Sequence, residues 1–312
     1  MSRILVTDPL DPAAATALRK AGHEVVEKKL TPDELFREIP HYEALLVRSE
    51  TKVTKAVLGV ADKLKVVGRA GVGVDNIDTI AAKERGVAVV NAPLAATNAV
   101  AELTLGQMLA LCRQIPRADL TTKEGKWEKK ALMGIELQGR TLGLIGVGRI
   151  GGRVAELCRA FGMKVVVYDP YVDAARAREL GAMKVETPAE VVQQADFVSV
   201  HVPLTKETKH LVNADLLAQA KKGSYFLNVA RGGIIDEKAL FDAIQSGRIA
   251  GAGLDTFEAE PLKESPLAAL PNVVFTPHVG ASTHEAQSKA GLMVAEQVRK
   301  VLAGETAEYR VV

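Results

Sequence analysis

Three glycines in the stretch 141–151 constrain the fold of this chain more than any other residues. The stretch reads Thr-Leu-Gly-Leu-Ile-Gly-Val-Gly-Arg-Ile-Gly, so Gly146, Gly148 and Gly151 separate a short apolar run from a helical pattern that begins at about Ile150. Between a strand and a helix, the first glycine permits a tight turn, the second lets a pyrophosphate approach, and the third lets helix and strand pack closely. The spacing therefore predicts a phosphate-binding turn, with the first amides of the helix facing the ligand.

An acidic residue ends the next predicted strand. Residues 164–168 read Lys-Val-Val-Val-Tyr, and Asp169 follows them. A carboxylate about 20 residues after such a glycine turn can accept hydrogen bonds from the ribose hydroxyls of a dinucleotide. Because the same carboxylate would repel a 2′-phosphate, the sequence favours NAD as the cofactor.

Strand and helix patterns alternate in two series along the chain. The strand patterns of the first series lie at 3–7, 24–26, 44–47, 65–67 and 87–90. Those of the second series lie at 142–145, 164–168, 196–200, 224–228, 250–254 and 272–275. Such alternation is typical of doubly wound parallel sheets, and 312 residues exceed one ordinary core. We expect an α/β protein with a Rossmann-type, NAD-binding domain at 96–282 and a flavodoxin-like, substrate-binding domain at 1–95 and 283–312.

The last helical pattern, at about 283–302, is expected to return to the first domain, because the first series lacks a final helix to cover its sheet. Its start, Ser282-Thr-His-Glu285, reads as a capping box, in which the two side chains satisfy each other's backbone amides. A long apolar helix is also predicted at about 98–113, buried on several sides.

Composition excludes several classes of function. A net charge of +2 gives no reason to expect binding to nucleic acid or to a membrane surface, and no apolar run is long enough to span a bilayer. The six histidines lack the spacing of metal ligands, so no metal is expected. Cys112 and Cys158 lie far apart on apolar helical patterns, which favours a reduced, cytoplasmic compartment.

Three polar segments follow predicted strands of the second series, and each holds one side chain suited to hydride-transfer chemistry. His278, in Thr-Pro-His-Val-Gly, suits the proton acceptor that oxidation of a secondary alcohol requires. Glu260 can hold the second ring nitrogen of that histidine. Arg231, in a glycine-rich loop, can bind a substrate carboxylate in a forked geometry. His201 also ends a predicted strand and is expected to line the cofactor pocket.

Two further regions indicate contacts with anions and with a partner. Arg48 and Arg69 both end predicted strands of the first series; each alone is typical of a solvated surface, but together they also fit an anion site. The polar segment 113–139 has no clear core face and holds the only tryptophan, Trp127. We expect it to contact a partner subunit; the alternative is a lid that packs on its own domain.

The chain resembles the D-2-hydroxyacid dehydrogenases over nearly its whole length. The resemblance rests on Gly-Val-Gly-Arg-Ile-Gly at 146–151, Asn-Val-Ala-Arg-Gly-Gly at 228–233, Asp-x-Phe-x-x-Glu-Pro at 255–261 and Pro-His-x-Gly-Ala-Ser at 277–282. Segments 47–54, 67–76, 125–130 and 278–283 are most similar to members that act on a phosphorylated 2-hydroxy acid.

The resemblance implies a role for each matching residue. His278 would be the acid/base, Glu260 its paired acid and Arg231 the substrate arginine. Segment 113–139 would be the loop that joins a homodimer, or a tetramer. The expected NAD contacts are Gly146, Gly148, Arg149, Ile150, Gly151, Asp169, His201, Val202, Ala230, Asp255 and Gly280. The expected substrate contacts are Arg48, Ser49, Arg69, Val72, Gly73 and Lys129.

Some residues depart from the family pattern, and they bear on the substrate more than on the reaction. Lys129 stands where an arginine is common, Val72 replaces a threonine, Ala96 lies in a loop without the usual Gly-Asn pair, and Glu50 would oppose a phosphate if it pointed inward. The alternatives left open are a glyoxylate/hydroxypyruvate or D-lactate reductase and an NAD-sensing corepressor. The resemblance also implies that feedback control through C-terminal regulatory domains is absent.

Overall fold

A computed structural model describes all 312 residues, which form two compact units. The first unit comprises Met1–Thr97 with Ala281–Val312, and the second comprises Asn98–Gly280. Each unit holds one sheet whose strands all run parallel. The expected class, α/β with two doubly wound domains, is confirmed. The assignment of the first unit to the substrate stays a prediction.

The first unit is built on a five-stranded sheet. Its strands are β1 (Arg3–Val6), β2 (Glu24–Glu27), β3 (Ala44–Val47), β4 (Val66–Arg69) and β5 (Ala88–Asn91). Its intervening helices are α1 (Pro12–Lys20), α2 (Pro32–Glu38), α3 (Lys55–Val60) and α4 (Thr79–Glu84), with a 3₁₀ turn at Ile39–His41. The strand order, β2-β1-β3-β4-β5, is the flavodoxin-like order. Apolar clusters fill both faces of this sheet.

A helix from the end of the chain, α12 (His284–Leu302), covers one face of that sheet. Gly68 of β4 makes the close approach possible, because a Cβ there would come within 2.8 Å of the side chains of Val294 and Val298. The predicted capping box was wrong: Thr283 is the N-cap, and its hydroxyl accepts from the amide of Ala286 at 3.1 Å. The helix begins one residue later than expected, so Ser282 lies outside the capping position.

The second unit is built on a seven-stranded sheet. Its strands are β6 (Thr141–Ile145), β7 (Lys164–Tyr168), β8 (Met183–Lys184), β9 (Phe197–Val200), β10 (Ser224–Asn228), β11 (Ile249–Leu254) and β12 (Val273–Phe275). Its helices are α5 (Thr97–Arg113), α6 (Ile115–Lys123), α7 (Arg149–Ala160), α8 (Ala174–Glu179), α9 (Pro188–Gln194), α10 (Ala214–Gln219) and α11 (Glu237–Gln245), with a 3₁₀ turn at Pro266–Ala269.

The strands of this sheet lie in the order β12-β11-β10-β9-β6-β7-β8. From β6 the chain continues outward to β7 and β8, and from β9 it continues outward on the other side, so the topological switch point lies between β6 and β9. Ile145 and Val200 are register partners at the carboxyl ends of these two strands. In open parallel sheets, ligands bind outside the strand ends at such a switch point. The glycine turn that follows β6 and the residue His201 that follows β9 therefore meet at the expected ligand crevice.

Apolar side chains fill both faces of the second sheet as well. Helix α5 contributes to one of these clusters through Met108 and Cys112, in agreement with its predicted burial. Cys112 and Cys158 are buried free thiols, and burial raises their pKa to about 11 and about 12. No helix of the structure combines the length and the apolar character that crossing a bilayer would require.

Candidate active site

The glycine turn after β6 has the geometry that its spacing predicts. Gly146 adopts a φ of +95°, which side chains rarely tolerate, and a Cβ there would lie 2.8 Å from the carbonyl oxygen of His201. A Cβ on Gly151 would collide with the carbonyl oxygen of Gly146. Gly148, at the start of α7, has no atom within 4 Å of its would-be Cβ. The turn is thus closed on its protein side and open where a phosphate would approach.

Asp169 lies at the end of β7 and contacts the glycine turn directly. Its Oδ2 accepts a hydrogen bond from the amide of Val147 at 2.8 Å, and its Oδ1 accepts from the amide of Tyr171 at 2.9 Å. Each carboxylate oxygen can accept more than one bond, so both retain capacity for ribose hydroxyls. The residue therefore fits a dinucleotide in two ways, since it holds the turn and presents a negative charge.

His201 follows β9 at the switch point. Its ring Nε2 lies 2.9 Å from the hydroxyl of Ser199, and burial lowers the pKa of the imidazole to about 4. A neutral histidine is poorly suited to exchange protons near pH 7. His201 and the adjacent Val202 instead form one side of the glycine turn, because both contact the position that a Cβ on Gly146 would occupy.

His278 and Glu260 form the pair that the sequence predicts. The ring Nδ1 of His278 lies 2.7 Å from Oε2 of Glu260, and the second carboxylate oxygen accepts from the amide of Phe257 at 3.0 Å. The imidazole side chain is 47% exposed, so its other nitrogen can reach a substrate. Glu260 is held at one oxygen and binds the imidazole with the other, which orients the ring.

The loop that carries Arg231 packs against the loop that carries Glu260. A Cβ on Gly232 would collide with the carbonyl oxygen of Phe257, so only glycine allows this approach. Asn228, which is 2% exposed, braces the loop: its Nδ2 donates to the carbonyl of Arg231 at 2.8 Å, and its Oδ1 accepts from the amide of Ala230 at 3.1 Å. Asn228 is not marked as a functional residue by any motif of the sequence, although an asparagine at the end of a buried strand is suited to such bracing.

The backbone of His278 is as closely held as its ring. It adopts a φ of +52°, a left-handed conformation that costs a non-glycine residue about 1–3 kcal/mol. Asp255, only 1% exposed, lies beneath the loop and accepts from the amides of Val279 and Gly280, each at 2.9 Å. The expected contacts of Asp255 and Gly280 with the cofactor stay a prediction, and in the structure both residues shape the histidine loop.

In the first unit, Arg48 follows β3 and Arg69 is the last residue of the neighbouring β4, so both lie at the carboxyl edge of the sheet. Asn76, which sequence analysis missed, donates to the carbonyl of Arg48 at 2.9 Å and to that of Thr51 at 2.7 Å. The buried Asp8 accepts from the amide of Arg48 at 2.6 Å. A cleft of this unit is lined by Arg48, Gly71, Ala96 and Gln287, among others. Ser49 is exposed, and Val72 and Gly73 are partly exposed in the adjoining loop.

Glu50 does not point toward that cleft. Its carboxylate binds the ammonium group of Lys29 at 2.8 Å, and the two side chains are 59% and 77% exposed. The pair raises the pKa of Lys29, because the neighbouring carboxylate favours the charged amine. The departure at Glu50 therefore places no uncompensated negative charge beside Arg48.

Segment 113–139 combines a short helix with an exposed apolar surface. Helix α6 occupies its first part, which was expected to have no clear core face, and Thr121 is buried. Trp127 and Met133 are 84% and 81% exposed, and Lys129 is exposed beside them.

No group of three or more His, Cys, Asp or Glu side chains is arranged to hold a metal ion.

Comparisons with known proteins agree with this geometry. Residues 105–280 match the family model described as the D-isomer specific 2-hydroxyacid dehydrogenase, NAD binding domain. The chain belongs to this family of dehydrogenases, and its second unit is the NAD-binding domain, so NAD is the cofactor. The glycine turn, Asp169 and the open position at Gly148 fit that cofactor.

Among relatives, the chain is 52% identical to D-3-phosphoglycerate dehydrogenase of Methanocaldococcus jannaschii over 99% of its own length, but it spans only 59% of that protein. It is 47% identical to hydroxypyruvate reductase of Thermotoga maritima, over 96% of this chain and 98% of the relative. The solved structure of TT0316 protein from Thermus thermophilus is similar along 99% of this chain and 100% of that one, at 37% identity and a TM-score of 0.91.

Proposed function

We propose that this protein oxidises 3-phospho-D-glycerate to 3-phosphohydroxypyruvate with NAD, the first step of serine biosynthesis. The observation that carries the proposal is the 2.7 Å pair of His278 and Glu260, in an NAD-binding domain whose Arg231 loop packs on the Glu260 loop. Similarity to the phosphoglycerate dehydrogenases supports the choice of substrate.

His278 is the proton acceptor in this proposal. With Nδ1 bound to Glu260, its Nε2 is the nitrogen available to the C2 hydroxyl of the substrate. Glu260 stabilises the imidazolium that forms when the proton arrives, since a carboxylate interacts more strongly with the charged ring than with the neutral one. When bound, NAD supplies the acceptor for the hydride that leaves C2.

Arg231 orients the substrate. Its guanidinium can donate two parallel hydrogen bonds to the substrate carboxylate, which fixes C2 for reaction. Asn228 braces the backbone of this loop through the carbonyl of Arg231, and Nη1 of the arginine donates to the carbonyl of Ala230 at 2.7 Å. In the reverse direction, the same positive charge would polarise the C2 carbonyl.

Arg48 and Arg69 are proposed to bind the anionic end of the substrate. The pairing of Glu50 with Lys29 supports this role, because the carboxylate of Glu50 is engaged by a cation and does not line the cleft that holds Arg48. Lys129 is proposed to contribute a further positive charge from a neighbouring subunit. The exposed surface of Trp127 and Met133 supports a homodimer formed through segment 113–139, and the buried free thiols suit a reducing cytoplasm.

A second candidate is reduction of hydroxypyruvate. It is supported by the 47% identity of the chain to hydroxypyruvate reductase of Thermotoga maritima. Both candidates use the same His278, Glu260 and Arg231. They differ in whether a phosphate group must be recognised.

A substrate panel tests the proposal. NAD reduction is measured with 3-phospho-D-glycerate, D-glycerate and D-lactate, and NADH oxidation with hydroxypyruvate and glyoxylate. We expect kcat/KM to be highest for the phosphorylated acid, and Arg48→Gln to lower that value roughly tenfold or more while D-glycerate is little affected. Lys52→Gln, an exposed cation of the same loop, is the matched control. Equal or better kcat/KM for unphosphorylated acids would rule out the phosphoglycerate assignment.

A further inference from the structure

A chain of side-chain hydrogen bonds runs from helix α5 to the loop of His278. Nε2 of Gln107 lies 2.9 Å from the hydroxyl of Thr276, and that hydroxyl lies 2.6 Å from Oδ1 of Asp255. Gln107 is 2% exposed. Gly253 of β11 provides the space for it, because a Cβ there would come within 2.8 Å of Oε1 of Gln107.

The direction of each bond in this chain is determined by chemistry. A carboxylate of Asp255 can only accept, so the single proton of the Thr276 hydroxyl points to Asp255. The hydroxyl oxygen must then accept from the amide group of Gln107, which defines the orientation of that amide. The chain therefore has one self-consistent arrangement, with Gln107 as the first donor.

Asp255 extends this chain of hydrogen bonds to residues on both sides of His278. It accepts from Thr276, two residues before the histidine, and from the amides of Val279 and Gly280 directly after it. The amide of His278 itself donates to the carbonyl of Thr276 at 3.0 Å. A residue with φ of +52° needs such support from both sides, because the conformation is unfavourable for an L-residue.

We propose that Gln107 and Thr276 are positioning residues that hold the backbone of His278 at the place where its ring meets both Glu260 and the substrate. Glu260 orients the imidazole directly, because it binds Nδ1 of the ring. The Gln107–Thr276–Asp255 chain orients the imidazole indirectly, because it holds the backbone of His278. The inference rests on the proposed function, since it assigns these residues to the same acid/base. Neither residue touches substrate in this role.

The test compares Thr276→Val, which removes the hydroxyl at nearly constant volume, with Thr276→Ser, which retains it. With the best 2-hydroxy acid substrate of the wild type, we expect Thr276→Val to lower kcat about tenfold or more with KM changed by less than about threefold, and Thr276→Ser to restore kcat to within about threefold. Because the imidazolium loses its alignment with Glu260, the midpoint of the pH profile of kcat/KM moves to lower pH.

Gln107→Met provides a second variant of similar shape, with a smaller expected loss of kcat, about threefold or more. Thr104→Val is the matched control: Thr104 is fully buried on the same helix, but its hydroxyl donates only to the carbonyl of Val100, at 2.8 Å. This control should lower thermal stability without changing kcat or the pH profile. Parallel loss of stability and unchanged kcat in Thr276→Val and Gln107→Met would overturn the positioning role.

A readout without turnover separates this inference from the proposed function. The ring-proton NMR signals of His278, assigned by their loss in His278→Asn, should differ between wild type and Thr276→Val but coincide in Thr104→Val. A wild type that oxidises none of the acids would contradict the proposed function alone. Identical His278 signals in wild type and Thr276→Val would contradict the positioning role, whatever the substrate.

Discussion

At the scale of the residue, His278 shows how one side chain depends on several others. Its ring is bound by Glu260, while its left-handed backbone is enclosed by bonds to the buried Asp255. Burying an ionised carboxylate is unfavourable unless its oxygens are hydrogen-bonded, and Asp255 accepts three bonds. The acid that is hidden from solvent thus has a structural task, whereas the more exposed acid is the one proposed to take part in the chemistry.

Replacing His278 by asparagine should separate catalysis from folding. Asparagine tolerates the left-handed backbone but cannot accept a proton at neutral pH, so kcat should fall by about 10²-fold or more. NAD affinity, measured by fluorescence titration, should stay within about twofold of wild type. The control is His41→Asn at an exposed site of the first unit. Near-normal turnover of His278→Asn would remove this histidine from the mechanism.

His201 predicts a pH dependence of stability. Its folded pKa of about 4 lies below the value of 6.5 for an unperturbed histidine, because burial disfavours the charged ring. Between pH 4 and pH 6.5, this histidine therefore binds a proton in the unfolded chain but not in the folded chain. The stabilisation is therefore complete above pH 6.5 and is lost as pH falls from 6.5 toward 4.

Urea unfolding of wild type and His201→Asn at pH 7.5 and pH 5 measures this contribution. Between the two pH values, the wild type should lose about 2 kcal/mol more of its free energy of unfolding than the variant, at ~1.4 kcal/mol per pKa unit. Equal losses in the two proteins would show that His201 takes up its proton in the folded state.

At the scale of the element, the strand–turn–helix unit at 141–160 assigns different tasks to similar glycines. Gly151 allows α7 to pack against the turn, whereas Gly148 faces open space. The same substitution should therefore affect stability at Gly151 and NAD binding at Gly148, and this contrast distinguishes packing from ligand approach.

Gly151→Ala should lower the free energy of unfolding by about 1–3 kcal/mol, because the new methyl group collides with the carbonyl of Gly146. Gly148→Ala should leave the melting temperature nearly unchanged but weaken NAD binding about tenfold or more. Thermal denaturation and NAD titration of both variants provide the comparison. Full NAD affinity in a folded Gly148→Ala protein would contradict the proposed approach of the pyrophosphate.

Elements were predicted well where a local pattern is decisive. Most strands were found within one or two residues, because buried parallel strands read as short apolar runs between turn residues. The start of α12 was misplaced, since Ser282 and Thr283 are equally able to cap a helix and only the backbone path selects Thr283. The short β8 was missed, because two residues, Met183–Lys184, carry no periodic signal.

At the scale of the whole molecule, the exposed apolar surface of segment 113–139 predicts self-association. Trp127 and Met133 are large, apolar and almost fully exposed, which is unfavourable in a monomer. Sedimentation velocity should show a wild-type dimer and a shift toward monomer in Trp127→Asp/Met133→Asp. Tyr171→Asp, at a side chain that is 96% exposed in the same unit, should remain dimeric. A wild-type monomer at micromolar concentration would contradict the dimer.

The sequence by itself determined the two alternating series and the glycine turn, and it indicated Asp169, Arg231, Glu260 and His278 as candidate site residues. All of these depend on local spacing or on the chemistry of a residue at a strand end. The tertiary structure decided which partners these residues have. Gln107 and Thr276 are 169 positions apart, and no local pattern joins them, because α5, which carries Gln107, and the end of β12, which Thr276 follows, come together only when the unit packs.

The orientation of the Glu50 side chain could likewise not be predicted from the sequence. Its negative charge would have opposed an anion at Arg48 only if the side chain had pointed inward. Its carboxylate turns to Lys29, 21 positions earlier in the chain. Identity and local spacing indicate what a side chain can do, whereas orientation and pairing depend on contacts between distant residues. For that reason the family was accessible from the sequence, while the support of His278 and the electrostatics beside Arg48 required the fold.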